Sequence, residues 1–180
     1  PFMGLPGAGC ECVAGDVGFL DEMIAAGRGR IRIMSLSPEA PNIIPVIERL
    51  CESDVVPFIT HTGASVEQTM AALAAGARHA THFYDVFPHP PEPEPGVRPV
   101  GAVEAILADP RATVDFIADG VHVHPVAIKA VLAAKGWRNL AIITDSNIGA
   151  GLEPRTHATP WGYDVVVGDP RGGVGVSDPA

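Results

Sequence analysis

The chain has 180 residues, of which 47% are hydrophobic and 18% are charged. This balance can form a buried core in one compact globular unit, and it is not typical of a disordered chain. The formal net charge is −9 and the sequence has no basic cluster, which argues against a nucleic acid or an anionic membrane as partner. No apolar run reaches the roughly 20 residues that a membrane helix needs.

Three cysteines, Cys10, Cys12 and Cys51, give an odd count without zinc-ribbon spacing. A disulfide framework is therefore not expected, and a reducing compartment such as the cytoplasm is favoured. Cys51 falls within a predicted helix, where we expect it in the core. The sequence does not begin with Met, and we expect it to be a fragment of a longer gene product that lacks both ends.

Short β-branched segments alternate with amphipathic, alanine-rich segments along most of the chain. The pattern predicts strands at 30–36, 55–60, 78–83, 113–118 and 140–144. Helices are predicted between them at 41–53, 65–75, 100–109 and 125–136, the last ended by Gly136. Because the strands are apolar throughout and are joined by helices, the sheet should be parallel and covered on both faces.

Two parallel architectures compete, an open doubly wound sheet and a (β/α) barrel. No glycine-rich dinucleotide loop follows any of the predicted strands. Instead, a polar residue that can ionise or bind a metal follows each strand, and in a barrel these residues converge on one mouth. They are Glu39, His61, His82, Asp119 with His122, and Asp145. We therefore predict an α/β fold that is part of a (β/α)8 barrel, with about five βα units of the eight.

The end of the chain differs from this pattern. After Gly149 it becomes rich in glycine and proline, with one strand-like run at 163–168. We expect residues 1–150 to form the partial barrel. Residues 151–180 are expected to form a β tail that continues beyond the chain and belongs to a small β-sandwich domain.

His61 and His82 each follow an apolar strand. Neutral imidazoles at adjacent strand ends can meet at one divalent cation, which makes the pair a candidate metal site. Either histidine alone is more often a capping or core residue. Asp145 ends another apolar strand, where a carboxylate is costly to bury unless it is paired or bound to metal. It is a candidate general base or ligand, with a turn or N-cap role, helped by Ser146 and Asn147, as the alternative.

The segment "ADGVHVHP" at 118–125 offers two histidines that share a face if the segment is extended. His122, nearer the strand end, is the candidate for substrate contact, and His124 is expected to cap or pack. Pro125 should open the next helix. Glu39, in "SPEAP", could be a ligand, but a structural role at a helix start is favoured.

Five segments, "PEAP", "THTGAS", "ATHFYD", "IADGVHVHP" and "ITDSNIGAG", occur in this order between residues 30 and 152. In order and spacing they resemble the N-acetylglucosamine-6-phosphate deacetylases of the amidohydrolase superfamily. The resemblance implies a metal-dependent (β/α) barrel with a small β-sandwich domain, acting as a cytoplasmic homodimer. It implies removal of the acetyl group from an N-acetylated amino sugar, above all N-acetylglucosamine 6-phosphate.

The same resemblance implies roles for single residues. His61 and His82 would be metal ligands for zinc, iron, manganese or cobalt, in a centre of one or two ions. Asp145 would be the catalytic acid and base, which takes a proton from water and passes it to the leaving amine. His122 would contact the substrate, and Asp85 with Val86 would line the sugar site.

The chain departs from the pattern of this family at several positions. The family's metal-binding glutamate, in a His-Leu-Glu-Gly-Pro-Phe motif, would fall before Pro1. Cys10 or Glu11 stands near the place of a histidine in a Lys-Gly-x-His loop. Asp85 opens the triplet that reads Asn-Ala-Met in relatives, and Pro93 replaces an arginine that reaches the sugar phosphate.

His89 or Arg98 could take over the phosphate contact of that missing arginine. Three alternatives to the deacetylase remain open at this point. One is a related amidohydrolase with a different N-acyl substrate, and another is a catalytically silent barrel fragment or assembly partner. The third is a phosphosugar isomerase or aldolase barrel, which is disfavoured because neither Lys129 nor Lys135 lies at a strand end.

Overall fold

The computed structural model describes residue 2 and residues 13–146, 149–160, 164–168 and 174–177. By its internal contacts the chain divides into two compact units, Pro1–Ile143 and Thr144–Ala180. Among the described residues, every helix is too short or too polar to cross a lipid bilayer.

The first unit alternates helices with strands. Its helices are α1 (Val17–Gly27), α2 (Ile43–Glu52), α3 (Val66–Ala75), α4 (Ala102–Ala108) and α5 (Pro125–Lys135). Its strands are β1 (Ile33–Leu36), β2 (Val56–Ile59), β3 (His79–Ala80), β4 (Thr113–Ile117) and β5 (Leu140–Ile143), the last preceded by a 3-10 turn at Trp137–Asn139. The four predicted helices and five predicted strands are all present. Helix α1, which begins at an Asp16 N-cap, was not predicted.

The strands of the first unit form one parallel sheet in the order β1-β2-β3-β4-β5. A doubly wound sheet reverses its strand order at a switch point, whereas a barrel adds each strand beside the preceding one. The sequential order is therefore that of a partial (β/α) barrel, and the predicted fold class is confirmed. Leu36 pairs with Ile59, and Ile59 with Ala80, so the first three strands end at one level.

The core lies between this sheet and its helices. Helix α2 shows why the sequence folds this way: Ile43, Val46, Ile47 and Leu50 follow helical spacing and are all buried. Cys51, one position past Leu50, turns away from that buried stripe and is exposed. The expectation that Cys51 is a core residue is therefore wrong.

A lysine joins the last two helices of the barrel unit. The Lys135 Nζ donates to the carbonyl oxygens of Ile106 and Asp109, each at 2.8 Å. These carbonyls lie at the end of α4, where helical partners are missing. Burial lowers the pKa of the Lys135 ammonium, and the nearby Asp109 carboxylate partly offsets this shift.

The second unit contains a small antiparallel sheet. Its strands are β6 (Thr156–Ala158), β7 (Asp164–Val167) and β8 (Val174–Ser177), in the order β6-β7-β8. Strand β7 coincides with the strand-like run predicted at 163–168, while β6 and β8 were not predicted. Val165 pairs with His157 on one side and with Val176 on the other.

Candidate active site

The structure places the two candidate ligand histidines side by side. His61 and His82 follow the ends of the neighbouring strands β2 and β3, and their ring centroids are 5.1 Å apart with the rings at 82°. Both residues have left-handed backbone angles, with φ of 43° at His61 and 36° at His82. Side-chain-bearing residues rarely adopt this conformation, and those that do cluster at functional sites.

The partners of the His82 ring indicate which nitrogen carries the proton. Nδ1 lies 3.3 Å from the carbonyl oxygen of Asp85, and Nε2 lies 2.8 Å from Oγ1 of Thr60. A carbonyl oxygen can only accept, so Nδ1 donates and Nε2 keeps its lone pair, which accepts from the Thr60 hydroxyl. Histidines that bind metals are oriented in this way, with one nitrogen donating to a carbonyl and the other free for the metal.

The donor set at this place fits part of a metal centre. Two neutral imidazoles suit zinc and related divalent ions, which in catalytic sites usually have about three protein ligands. Within the described parts of the chain, no three His, Cys, Asp or Glu side chains are grouped so that they could hold an ion.

Glu39 fixes the loop that follows β2. Its carboxylate accepts from the Thr62 hydroxyl and, at 2.8 Å, from the backbone N–H of Gly63. Thr62 is fully buried, and its Oγ1 also accepts from the N–H of Ala64. Glu39 thus contacts the residues directly after His61 and lies in a turn before α2, which begins at Ile43.

Three further hydrogen bonds connect the strand ends. The buried Ser37 hydroxyl, just past β1, is shared between the carbonyl oxygens of Thr60 at 2.9 Å and His61 at 3.0 Å. The N–H of Thr62 donates to the carbonyl of Val86 at 3.1 Å, which joins the loop after β2 to the turn after β3. These bonds connect the loop that follows β2 to the end of β1 and to the turn that follows β3.

A buried acid supports the turn at His82. Asp115 in β4 accepts hydrogen bonds from His79 Nε2 at 2.8 Å, from the Thr81 hydroxyl and from the backbone N–H of His82. Burial raises the pKa of Asp115, but these hydrogen bonds outweigh burial and hold the pKa below its usual value. The carboxylate is therefore ionised at neutral pH.

After β4 the structure pairs Asp119 with His122. The Asp119 carboxylate lies 2.7 Å from His122 Nδ1 and accepts from the backbone N–H groups of Val121 and His122. The backbone hydrogen bonds from His122 and Val121, followed by the His122 ring, lower the pKa of Asp119 to about 2. His124 acts instead as the N-cap of α5, where its Nδ1 accepts from Val126 N–H. Pro125 opens this helix as predicted.

Asp145 comes two residues after β5 and belongs to the second unit. Its side chain is exposed, and its backbone is left-handed with φ of 47°.

The turn after β3 also contains left-handed residues, with φ of 79° at Tyr84 and 53° at Val86. The half-exposed Asp85 lies between them and supplies the carbonyl that accepts from the His82 ring.

The proline-rich segment forms an exposed rim after β3. His89, Arg98 and Pro99 line a surface depression. Arg98 lies 3.5 Å from Glu104, and its side chain is 79% exposed, so this ion pair is weak. The other two candidates from the sequence, Cys10 and Glu11, lie outside the described residues.

Asp115 and His79 were not among the residues predicted from the sequence. A signal for Asp115 was present, because an acid in the middle of the apolar run "TVDFIA" requires partners if the run is a buried strand. His79 lies at the start of β3 and gives no such signal until the register places it beside β4, where it pairs with Thr113.

The sequential parallel sheet and the histidine pair at its carboxyl edge define part of a (β/α) barrel with a site at the strand ends. No protein-family model matches the chain. Sequences of known proteins do match it. The chain is 34% identical over 137 residues to an N-acetylgalactosamine-6-phosphate deacetylase of Escherichia coli, and the aligned region covers 76% of this chain and 35% of that protein. It is 35% identical over 125 residues to an N-acetylglucosamine-6-phosphate deacetylase of Bacillus subtilis, covering 69% and 30%.

Solved structures of such deacetylases also match the chain. The chain matches the N-acetylglucosamine-6-phosphate deacetylase of Mycobacterium smegmatis, in the structure of a variant in complex with N-acetylglucosamine 6-phosphate. The TM-score is 0.75 and the identity is 30%, and the match covers 85% of this chain and 39% of that one. The enzyme of Pasteurella multocida matches with a TM-score of 0.72 and 25% identity over 87% and 39%. The sequence neighbours are N-acetylglucosamine- and N-acetylgalactosamine-6-phosphate deacetylases and the structure neighbours are of the glucosamine type, which confirms the resemblance. The chain spans about a third of the length of the curated relatives.

Proposed function

We propose that the full-length protein is a metal-dependent hydrolase that removes the acetyl group from an N-acetylated hexosamine 6-phosphate, with N-acetylglucosamine 6-phosphate as the first candidate. The observation that supports this most is the adjacent pair His61 and His82 at neighbouring strand ends, in a chain whose relatives bear the names of such deacetylases. Because relatives of both the glucosamine and the galactosamine type match, the configuration at the sugar is part of the test.

His61 and His82 would hold the divalent cation, zinc, iron, manganese or cobalt, together with further ligands. When bound, such a cation polarises the amide carbonyl and lowers the pKa of water. The protonation of His82 fits this role, because its Nδ1 donates to the Asp85 carbonyl and leaves Nε2 for the cation. The Thr60 hydroxyl would then have to turn away from Nε2.

Asp145 is proposed as the acid and base of the reaction. It would take a proton from the attacking water as the bond between that oxygen and the acetyl carbon forms. It would then give the proton to the amine nitrogen as the carbon–nitrogen bond breaks, releasing acetate and the free amino sugar. The support for this role is the "ITDSNIGAG" motif and the position of Asp145 two residues after β5.

Substrate binding is assigned to residues of the neighbouring loops. The Asp119 carboxylate accepts a hydrogen bond from His122 Nδ1–H, which leaves Nε2 as an acceptor for a sugar hydroxyl. Asp85 and Val86 would line the sugar. Arg98 and His89 are the rim residues proposed for the phosphate, since the weak contact of Arg98 with Glu104 can be exchanged for a phosphate oxygen.

Two broader properties belong to the same proposal. The odd cysteine count without a disulfide framework supports a reducing compartment, and we propose the cytoplasm. We also propose a homodimer for the full-length protein, on the strength of the motif resemblance alone. Size-exclusion chromatography with light scattering of the full-length protein would test the dimer directly.

The metal content of three variants tests the proposed site. We expect the full-length protein to purify with bound divalent metal, and His61→Ala and His82→Ala each to lose metal and acetate release together. The matched control is His124→Asn, which keeps a good N-cap residue on α5 and should retain both. A protein that binds no divalent ion, with acetate release unchanged in His61→Ala, would rule the proposal out.

A further inference from the structure

A buried carboxylate that the proposed reaction does not use lies next to His82. Asp115 occupies the middle of β4, where its residue is 5% exposed and its strand neighbours Val114 and Phe116 are buried. An ionised group at such a position is costly unless hydrogen bonds satisfy it. The described partners of its side chain lie in β3 and in the two residues that follow it, between His79 and His82.

The hydrogen bonds leave the Asp115 carboxylate little freedom. Oδ1 accepts from the backbone N–H of His82, and Oδ2 accepts from His79 Nε2 at 2.8 Å. The Thr81 hydroxyl lies 3.1 Å from both oxygens. His79 is itself fixed, because its Nδ1 lies 2.6 Å from Oγ1 of Thr113.

Asp115 also binds the backbone at the point where the chain leaves the sheet. Its side chain accepts the amide of His82, and its backbone carbonyl accepts the next amide, that of Phe83, at 2.9 Å. Strand β3 ends at Ala80, whereas β4 continues to Ile117. One residue of β4 thus binds two consecutive amides just where the backbone of His82 turns into the left-handed region, with φ of 36°.

We propose that Asp115 is a positioning residue for the histidine pair. By binding the amides of His82 and Phe83 it fixes the turn that brings the His82 ring beside His61, while His79 and Thr81 hold the carboxylate in place. The inference rests on the proposed function, because cation binding by the two histidines is itself proposed. Asp115 does not touch the cation or the substrate in this account and acts only through His82.

A role in stability alone makes a different prediction, and Asp109 provides the comparison. Asp109 is also 5% exposed, and it accepts strong hydrogen bonds from Arg111. It precedes β4, at the opposite end of the strand from the histidine pair. If burial and hydrogen bonding were all that mattered, substitution of either acid would affect metal binding alike.

The test measures the affinity of the full-length protein for Zn²⁺ by competition with a chromogenic chelator, and the absorption spectrum of the Co²⁺ form. Asp115→Ala should lower Zn²⁺ affinity by about 10- to 100-fold, as loss of a residue that orients a ligand usually does, and should change the Co²⁺ spectrum. Asp115→Asn, which keeps one oxygen for the His82 amide, should lie between wild type and Asp115→Ala. Asp109→Ala should bind Zn²⁺ like the wild type even if it melts at a lower temperature.

Each outcome distinguishes the proposals. A wild-type protein that binds no Zn²⁺ overturns the metal site and this inference with it. A wild type that binds, with a folded Asp115→Ala within twofold of it, overturns the role of Asp115 alone, as does an equal loss in Asp109→Ala. If Asp115→Ala does not fold, Thr81→Val is the deciding variant. It removes the hydroxyl that contacts both oxygens of Asp115 and keeps nearly the same side-chain volume. An unchanged Zn²⁺ affinity in Thr81→Val overturns the inference.

Discussion

Replacement of Glu39 by alanine should loosen the loop that bears His61. The carboxylate accepts two hydrogen bonds, from the Thr62 hydroxyl and from Gly63 N–H, in a half-buried setting. A hydrogen bond to a charged group contributes about 1.5–3 kcal/mol when buried, and water replaces part of that at a half-exposed site. For the two bonds together we expect Glu39→Ala to lower the free energy of unfolding by about 2 kcal/mol. Glu39→Gln, which can still accept from Gly63, should lower it by about 1 kcal/mol.

The assay is urea unfolding of the full-length protein, followed by circular dichroism, with kcat/KM for acetate release measured on the same samples. Because the loop follows His61 directly, we expect kcat/KM of Glu39→Ala to fall by about tenfold, in line with the cost of a small displacement of a catalytic group. Glu48, exposed on α2, gives the matched control, and Glu48→Ala should change stability by less than about 0.5 kcal/mol. If Glu39→Ala behaves like Glu48→Ala in both measurements, Glu39 does not support the loop.

Three other predictions follow from the described contacts. Lys135→Met removes the donor to the two carbonyls at the end of α4 and should lower the free energy of unfolding in urea by about 1–2 kcal/mol. The control Lys129→Met, at an exposed position, should leave that free energy unchanged, and equal values for the two variants would contradict the capping role. Arg111, chiefly through its side chain, lowers the pKa of Asp109 to about 2 from 3.8, so the stability from this acid is present above pH 3.8 and lost as the pH falls toward 2. Asp109→Asn should flatten that acid limb in a pH series of melts, and an unchanged slope would contradict the linkage. Arg98→Ala should raise KM about tenfold for the phosphorylated sugar but not for the unphosphorylated one, and an equal KM change for both would argue against a phosphate contact.

Much of the barrel unit could be predicted from sequence because its signals are local. The period of α2, the Ser65 N-cap of α3 and Pro125 at the start of α5 each specify an element without knowledge of the rest of the fold. Helix α1 was missed because the segment around it contains many glycines, although Asp16 is a clear N-cap. Its only fully buried residue is Leu20, so its apolar pattern is weak.

The length of β3 and the support of the site depend on non-local contacts. The run at 78–83 looks like a full strand, yet the structure keeps only His79–Ala80 as strand and turns at His82. The turn arises because Asp115, which lies 33 positions further along the chain than His82, binds the His82 amide. Such a contact exists only once the sheet register is known. The strand-end positions of His61 and His82, by contrast, followed from the repeat of strands and helices.

The central claim is that this chain contributes the histidine pair of a metal-dependent sugar deacetylase. Acetate release by the full-length protein from N-acetylglucosamine 6-phosphate, measured before metal removal, after it and after Zn²⁺ is restored, tests this most directly. The account predicts turnover that disappears with the metal, returns with Zn²⁺, and does not return in His82→Ala. Turnover that survives metal removal, or a metal-loaded protein that releases no acetate from this sugar or its galactosamine counterpart, would contradict it.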